Sequence, residues 1–211
     1  MDQTILKIES LRKAFNRKTV FSDITFEIRS GQSIAVIGRN GSGKSTLVKI
    51  LAGVLSATSG NVLLNCRDRT VPAEERHTHV GFVSPYLQLY EEFSALENLR
   101  LASALRGDTY DASRGHMLLD MVVLSSGNND PVRTYSSGMK QRLKYAFALL
   151  NEPPILILDE PTANLDSDGI GMVRRVMEEQ RTKGILIIAT SDDDDVRYVD
   201  GTVSVERGVG R

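Results

Sequence analysis

With 211 residues, 41% of them hydrophobic and 25% charged, the chain is long enough to bury a substantial core and has the balance of a soluble globular protein. Its formal net charge of −1 supplies no global basic field for nucleic acid, and Cys66 stands alone, which excludes an internal disulfide or cysteine-cluster metal site and makes a reducing compartment the default. No apolar run approaches the ~20 residues that span a bilayer, and Met1–Lys7 lacks the charged-then-apolar pattern of a signal segment, so a membrane role has to come through a partner chain.

In chain order, residues 4–11 and 20–28 read as two strands joined by the polar turn Asn16-Arg17-Lys18. Ile24, Phe26 and Ile28 alternate with Thr25 and Glu27, the pattern of a sheet with one buried face. Ser30-Gly31-Gln32 turns the chain into the apolar run Ser33–Ile37, and after a glycine-rich stretch Leu47–Ala52 continues as a helix. A strand is expected at Asn61–Leu64, an irregular polar segment at 66–78, and a short strand at Val80–Val83 ended by Ser84-Pro85. From about Ser94 to Leu150 the pattern turns helical, with the last of these helices running from Ser137 to about Asn151, where Pro153-Pro154 stops it. The fully apolar runs Ile155–Leu158 and Ile185–Ala189 flank a helix at about 169–182 and suit parallel strands covered on both faces. Asp192–Asp195 reads as an exposed loop capping a helix at Val196, and Thr202–Val205 as a last strand before a glycine-rich end.

The chemistry is concentrated in Gly38-Arg39-Asn40-Gly41-Ser42-Gly43-Lys44-Ser45-Thr46, which fits G-x-x-x-x-G-K-[ST] between an apolar strand and a helix. Glycines let backbone N–H groups approach a triphosphate closely, and the helix start presents further unpaired N–H groups to the same charge. Lys44 is placed to reach the β- and γ-phosphates and Ser45 to ligate Mg²⁺. Ile155–Leu158 ends in Asp159-Glu160, at the carboxyl edge of a strand, where ligands of open parallel sheets sit. Asp159 can approach a metal held by Ser45, and Glu160 can polarise the water that attacks the γ-phosphate.

With these elements in place, the chain resembles the nucleotide-binding subunit of an ABC transporter over nearly its whole length. Tyr135-Ser136-Ser137-Gly138-Met139-Lys140-Gln141-Arg142 stands where that family has its LSGGQ signature; Ser136 and Gly138 match, while Tyr135, Ser137 and Met139 depart. The resemblance implies that Ser136 and Gly138 cap the γ-phosphate bound to an opposite protomer, that Ala163-Asn164-Leu165-Asp166 forms the loop linking two sites of a dimer, and that Phe15 stacks on adenine. It further implies ATP and Mg²⁺ as ligands, a membrane-spanning subunit on another chain, a homodimer or heterodimer of ATP-binding subunits, and a place on the cytoplasmic face of the membrane; no nucleic acid is expected. Two positions depart from the family. Pro85 stands where a glutamine is usual upstream of Glu97-Asn98-Leu99, which leaves Gln88 as its candidate substitute near the metal. Ser191 follows Thr190 in place of a switch histidine and keeps a hydroxyl for hydrogen bonding but no ionisable ring.

The expected fold is therefore α/β: a P-loop NTPase core with a mainly parallel sheet, an antiparallel β subdomain near the N-terminus and a helical insert, with a helical subdomain at about 86–150 inside a single domain 1–211. The expected function is an ATP-hydrolysing subunit that powers a separate membrane-spanning chain. Pro131–Ser136 is similar to haem-exporter subunits of cytochrome c maturation, a narrower alternative. A nucleotide-binding regulator with weak turnover is the reading that Pro85 and Ser191 motivate, and the pairing Asp159-Glu160 argues against it.

Overall fold

The computed structural model describes residues 3–16, 18–124 and 129–206, and the glycine-rich end expected after Val205 lies largely outside them. Strands β1 (Thr4–Phe15), β2 (Lys18–Arg29), β4 (Ser59–Cys66) and β5 (Arg69–Val71) form an antiparallel sheet in the order β2-β1-β4-β5. Strands β3 (Ser33–Ile37), β6 (Val80–Val83), β7 (Ile155–Asp159), β8 (Ile185–Ala189) and β9 (Gly201–Ser204) form a wholly parallel sheet in the order β6-β7-β8-β3-β9. Helices α1 (Lys44–Leu51), α2 (Ala95–Arg106), α3 (Ala112–Met121), α4 (Ser137–Leu149), α5 (Ser167–Lys183) and α6 (Asp193–Val196) complete the α/β fold.

The apolar runs of β7 and β8 are buried at every position, and the alternation of the strand divides them between two cores. Leu156, Leu158, Leu186 and Ile188 face one cluster with Leu99 of α2, Leu118 of α3, Leu143 of α4 and Met172 of α5. Ile155, Ile157, Ile185 and Ile187 face the other, with Leu47 and Ile50 of α1 and with Leu6, Ile8 and Phe21 of the antiparallel sheet. The parallel sheet is thus the wall between a helical layer and a β layer. All its strands end on one edge, where the loops that follow β3, β6, β7 and β8 converge.

Local chemistry sets the helix starts. Ser94 and Glu97 make a reciprocal capping box at α2, and Asp111 caps α3 by accepting from Ser113 and Arg114. Buried Asn98 fastens the preceding loop: its amide donates to the Tyr90 carbonyl at 2.9 Å and its oxygen accepts from the Tyr90 N–H at 2.9 Å. Helix α4 lies so close on β6 that a Cβ at Gly81 would fall inside van der Waals contact of the Ala148 carbonyl oxygen.

Three expectations change. Strand β1 runs on to Phe15 because register shifts after Ile8, with Ser10 at φ 44°, break the alternation that marks a strand in sequence. The segment 66–78 is not irregular throughout: Arg69–Val71 pairs with β4, and a 3₁₀ turn spans Arg76–His79, where the buried Arg76 guanidinium donates to the carbonyls of Ile50 and Val62. A three-residue strand is too short to show a period. The aspartate run is not an exposed loop either. Asp192 caps α6 by accepting from Asp194, the next three aspartates lie in that helix, and Asp195 is only 5% exposed.

Candidate functional site

Gly38–Gly43 joins β3 to α1 at the common edge. Gly43 sits at φ 114°, and a Cβ there would lie 2.5 Å from Val20 of β2, so only glycine lets the loop close under the antiparallel sheet. No side chain caps α1, which leaves its first N–H groups facing the loop's hollow. Lys44 is buried, and its ammonium donates to the Gly38 carbonyl at 2.9 Å, across the mouth of the loop. The Ser42 hydroxyl is buried without a hydrogen-bond partner. Asn40 and Gly41 are exposed at the rim, and Thr46 follows Ser45 in the first turn of α1.

Ser45 donates to Asp159 Oδ1 at 2.9 Å, joining α1 to the end of β7 across the intervening β8. Asp159 is 1% exposed and its Oδ2 has no hydrogen-bond partner. Burial pushes its carboxyl pKa upward; the Ser45 hydroxyl pulls it back, Glu160 pushes it further up, and Lys49 and Lys44 offset part of this. A hydroxyl beside a buried carboxylate with one oxygen to spare is a donor set that fits a hard divalent cation such as Mg²⁺. A buried, unpaired carboxylate oxygen is costly on its own, which strengthens that fit.

Glu160 has the left-handed backbone φ of 52°, a conformation that costs a non-glycine residue about 1–3 kcal/mol. Its N–H is held by the Ala189 carbonyl at 2.8 Å, and its side-chain Oε1 accepts from the Ser191 hydroxyl at 3.1 Å. Ser191 therefore meets the carboxylate that follows β7. Behind it, buried Asp195 accepts from Thr190 at 3.0 Å and from Thr162 at 3.2 Å, so the loops after β7 and β8 share one carboxylate. Its pKa is raised, chiefly by burial, with Thr190 and Thr162 opposing and Asp192 and Glu160 adding to the rise.

The other predicted positions lie further out. Ser136 caps α4, accepting from the Met139 N–H at 3.2 Å, and is exposed. Gly138, in the first turn, faces the Asn164 carbonyl, so the two loops named from the resemblance are neighbours. Asp166 caps α5 by accepting from Gly169 at 2.8 Å. Phe15 is 48% exposed at the end of β1, with the Lys13 ammonium 4.6 Å from its ring centroid. Gln88 is exposed, and no hydrogen bond joins it to Ser45 or Asp159 among the described residues. The structure also brings in residues that motif spacing does not single out. Lys144 donates to the carbonyls of Pro85 and Ser84, and Tyr145 donates to the Pro161 carbonyl at 2.6 Å; both lie on α4.

A parallel sheet with a glycine loop, a lysine and a serine at one helix start, and a buried aspartate beside them defines a P-loop nucleotide-binding domain. The family model described as ABC transporter matches residues 21–163. The lantibiotic transport ATP-binding protein SrtF of Streptococcus pyogenes is 36% identical over 89% of this chain and 80% of its own length. The lipoprotein-releasing system ATP-binding protein LolD 1 of Chlorobium chlorochromatii is 32% identical over 98% of this chain and 93% of its own length. The cytochrome c biogenesis ATP-binding export protein CcmA of Xylella fastidiosa is 35% identical over 88% and 83%. Among solved structures, an ATP-binding subunit of an ABC transporter superposes with a TM-score of 0.84 at 29% identity, over 97% of this chain and 87% of that one. The chain belongs to the ABC transporter family, as one of its ATP-binding, ATP-hydrolysing subunits.

Proposed function

We propose that this subunit, acting as one ABC-type domain, binds ATP with Mg²⁺ at the Gly38–Thr46 loop and hydrolyses it between two such domains to drive a membrane-spanning partner chain. The observation that carries the reading is the Ser45–Asp159 hydrogen bond with its spare buried carboxylate oxygen, set beside Lys44 and the uncapped start of α1. Ser45 and Asp159 would hold Mg²⁺, which supplies charge neutralisation for the β- and γ-phosphate oxygens when bound. Lys44 exchanges the Gly38 carbonyl for phosphate oxygens. Glu160 orients and polarises the attacking water, and Ser191 holds the Glu160 carboxylate rather than carrying charge itself. Exposed Phe15 offers a face for adenine, and Ser136, Gly138 and Asp166 serve the contact with the second domain. Gln88, exposed on the loop after β6, is the polar side chain of that loop that would serve the metal side in place of Pro85.

The relatives' printed names span lantibiotic transport, lipoprotein release and cytochrome c biogenesis at similar identities, so they support an exporter-type or releasing motor without favouring the haem-exporter alternative. No helix among the described residues is long and apolar enough to cross a membrane, which fits work delivered through another chain at the cytoplasmic face.

Lys44→Ala tests the site directly. It removes the one buried ammonium at the loop mouth, and charge-assisted bonds to phosphate contribute about 1.5–3 kcal/mol. Equilibrium binding of a fluorescent ATP analogue is expected to weaken at least tenfold with unfolding unchanged; wild-type affinity would remove the loop from the nucleotide site. At the γ-phosphate end, Ser191→Ala loses one hydrogen bond to Glu160 and is expected to lower steady-state turnover by about three- to tenfold. Ser191→His, which keeps a polar donor at this position, is expected to fold normally and preserve or raise turnover; a collapse in the folded variant counts against this role for Ser191.

A further inference from the structure

At the amino edge of the parallel sheet, the end away from the phosphate loop, a cavity of about 760 Å³ opens beneath the β4–β5 hairpin. Its size lies within the range of about 300–1,000 Å³ that small-molecule sites occupy. Arg67 and Arg69 reach it from the hairpin, His79 from the 3₁₀ turn before β6, and Lys183 from the last position of α5. Two carboxylates share the lining, and both are engaged. Glu152 pairs with Arg114 of α3 at 2.7 Å, and Glu75 meets Arg69 at 3.5 Å. Among the described residues, no hydrogen bond or ion pair holds the Lys183 ammonium. His79 meets the Thr78 hydroxyl with Nδ1 at 3.0 Å, which leaves Nε2 for another partner. Arg67 sits at φ 50° and Asp68 at φ 59° in the two-residue turn of the hairpin. Such a turn favours asparagine or glycine, so an arginine there carries its guanidinium to the cavity against the preference of the backbone. The floor is apolar, made by Val71, Pro153 and Pro154.

We infer that this cavity is a second ligand site, for a small organic phosphate whose phosphate group lies among Arg67, Arg69 and Lys183 and whose organic body rests on Val71, Pro153 and Pro154. Two features of the lining carry the choice. A guanidinium fork and an ammonium suit the several oxygens of a phosphate dianion. The volume exceeds what one phosphate fills, and the apolar floor gives the remainder of the molecule a surface to cover. None of these residues belongs to the Gly38–Thr46 site, so the inference stands apart from the reading of that loop.

Cys66 reports on occupancy. It is the single cysteine of the chain and lines the same cavity, half-buried. Burial pushes its thiol pKa up, while Thr4 and Arg67 pull it back. A bound phosphate would cover the sulfur and disfavour the thiolate, and both effects slow alkylation by iodoacetamide. With the full chain at about pH 8 and constant ionic strength, saturating phenyl phosphate is expected to slow that reaction by about fivefold or more. Its half-protecting concentration is expected to lie about threefold or more below that of inorganic phosphate, which has the same charged group and no organic body. Lys44→Ala is expected to leave the protection unchanged, which separates it from occupancy of the phosphate loop. Arg67→Asn, which the turn accommodates, and Lys183→Gln are each expected to raise the half-protecting concentration about threefold, and together about tenfold. Both positions are exposed, so the variants are expected to fold. In each of them the rate with phenyl phosphate is compared with the rate without it, because Arg67 also acts on the thiol itself. Absence of protection in the folded wild type overturns the inference. Equal half-protection by phenyl and inorganic phosphate overturns it too, as does protection that Lys44→Ala abolishes or that Arg67→Asn and Lys183→Gln leave intact.

Discussion

Glu160→Gln is expected to lower ATP turnover by the assembled transporter by about 10²–10³-fold, within the range that general-base removal produces. The substitution keeps the size of the side chain and an oxygen for the Ser191 hydroxyl to donate to, so the loops after β7 and β8 stay joined. What is lost is the carboxylate that can take a proton from water. Nucleotide binding is expected to survive, since Lys44, Ser45 and Asp159 are untouched. The check is steady-state phosphate release beside equilibrium binding of an ATP analogue with Mg²⁺. Unchanged phosphate release would remove Glu160 from the chemistry, and lost binding with intact folding would assign it to the nucleotide cradle instead.

The parts legible in the sequence are those whose chemistry is local. Gly38–Ser45 is readable because a phosphate loop needs fixed residues at fixed spacing, and β7 and β8 because burial on both faces demands unbroken apolar runs. The helix starts near Ser94 and Ser137 are readable because Ser94 and Ser136 carry their own capping side chains, whereas the start of α3 at Asp111 emerges only in the structure. Contacts between distant segments left no such trace. Lys144 looks like any lysine of a helix until α4 is laid across β6, and Asp195 looks like one member of an exposed acidic run until Thr162 and Thr190 arrive from two other loops. Pro85 shows the same limit from the other side. By residue type it reads as the loss of a polar contact, whereas in the fold its carbonyl is the acceptor that Lys144 uses. Ser191 likewise reads as a missing histidine, and the structure finds its hydroxyl on Glu160. A signal existed for one of these: a lysine at a position of α4 flanked by Leu143, Tyr145 and Ala146, all buried, is a charge in an apolar setting and calls for a specific partner.

The largest effect on stability is expected at Gly81. The β6 backbone approaches α4 so closely there that an added methyl group would lie inside contact of the Ala148 carbonyl and 2.7 Å from Pro153 Cγ. Neither neighbour can yield cheaply. Ala148 is backbone in the last turn of α4, and Pro153 belongs to the rigid turn that leads into β7. Gly81→Ala is therefore expected to push α4 off the sheet and destabilise the domain by about 3 kcal/mol, the upper part of the range for overpacking. For a chain of this length that lowers the thermal midpoint by about 6–12 °C. Gly107→Ala is the matched control, because the space around it is open while its φ of 79° penalises a side chain. It is expected to cost about 1–2 kcal/mol from backbone conformation alone. Thermal unfolding followed by circular dichroism separates the two: equal shifts would mean that the α4–β6 approach contributes nothing beyond ordinary glycine strain. At temperatures where the Gly81→Ala protein remains folded, a displaced α4 carries Ser136 and Gly138 with it and draws Lys144 away from Pro85. Its turnover is accordingly expected to fall more than its nucleotide affinity, whereas Gly107→Ala leaves both unchanged.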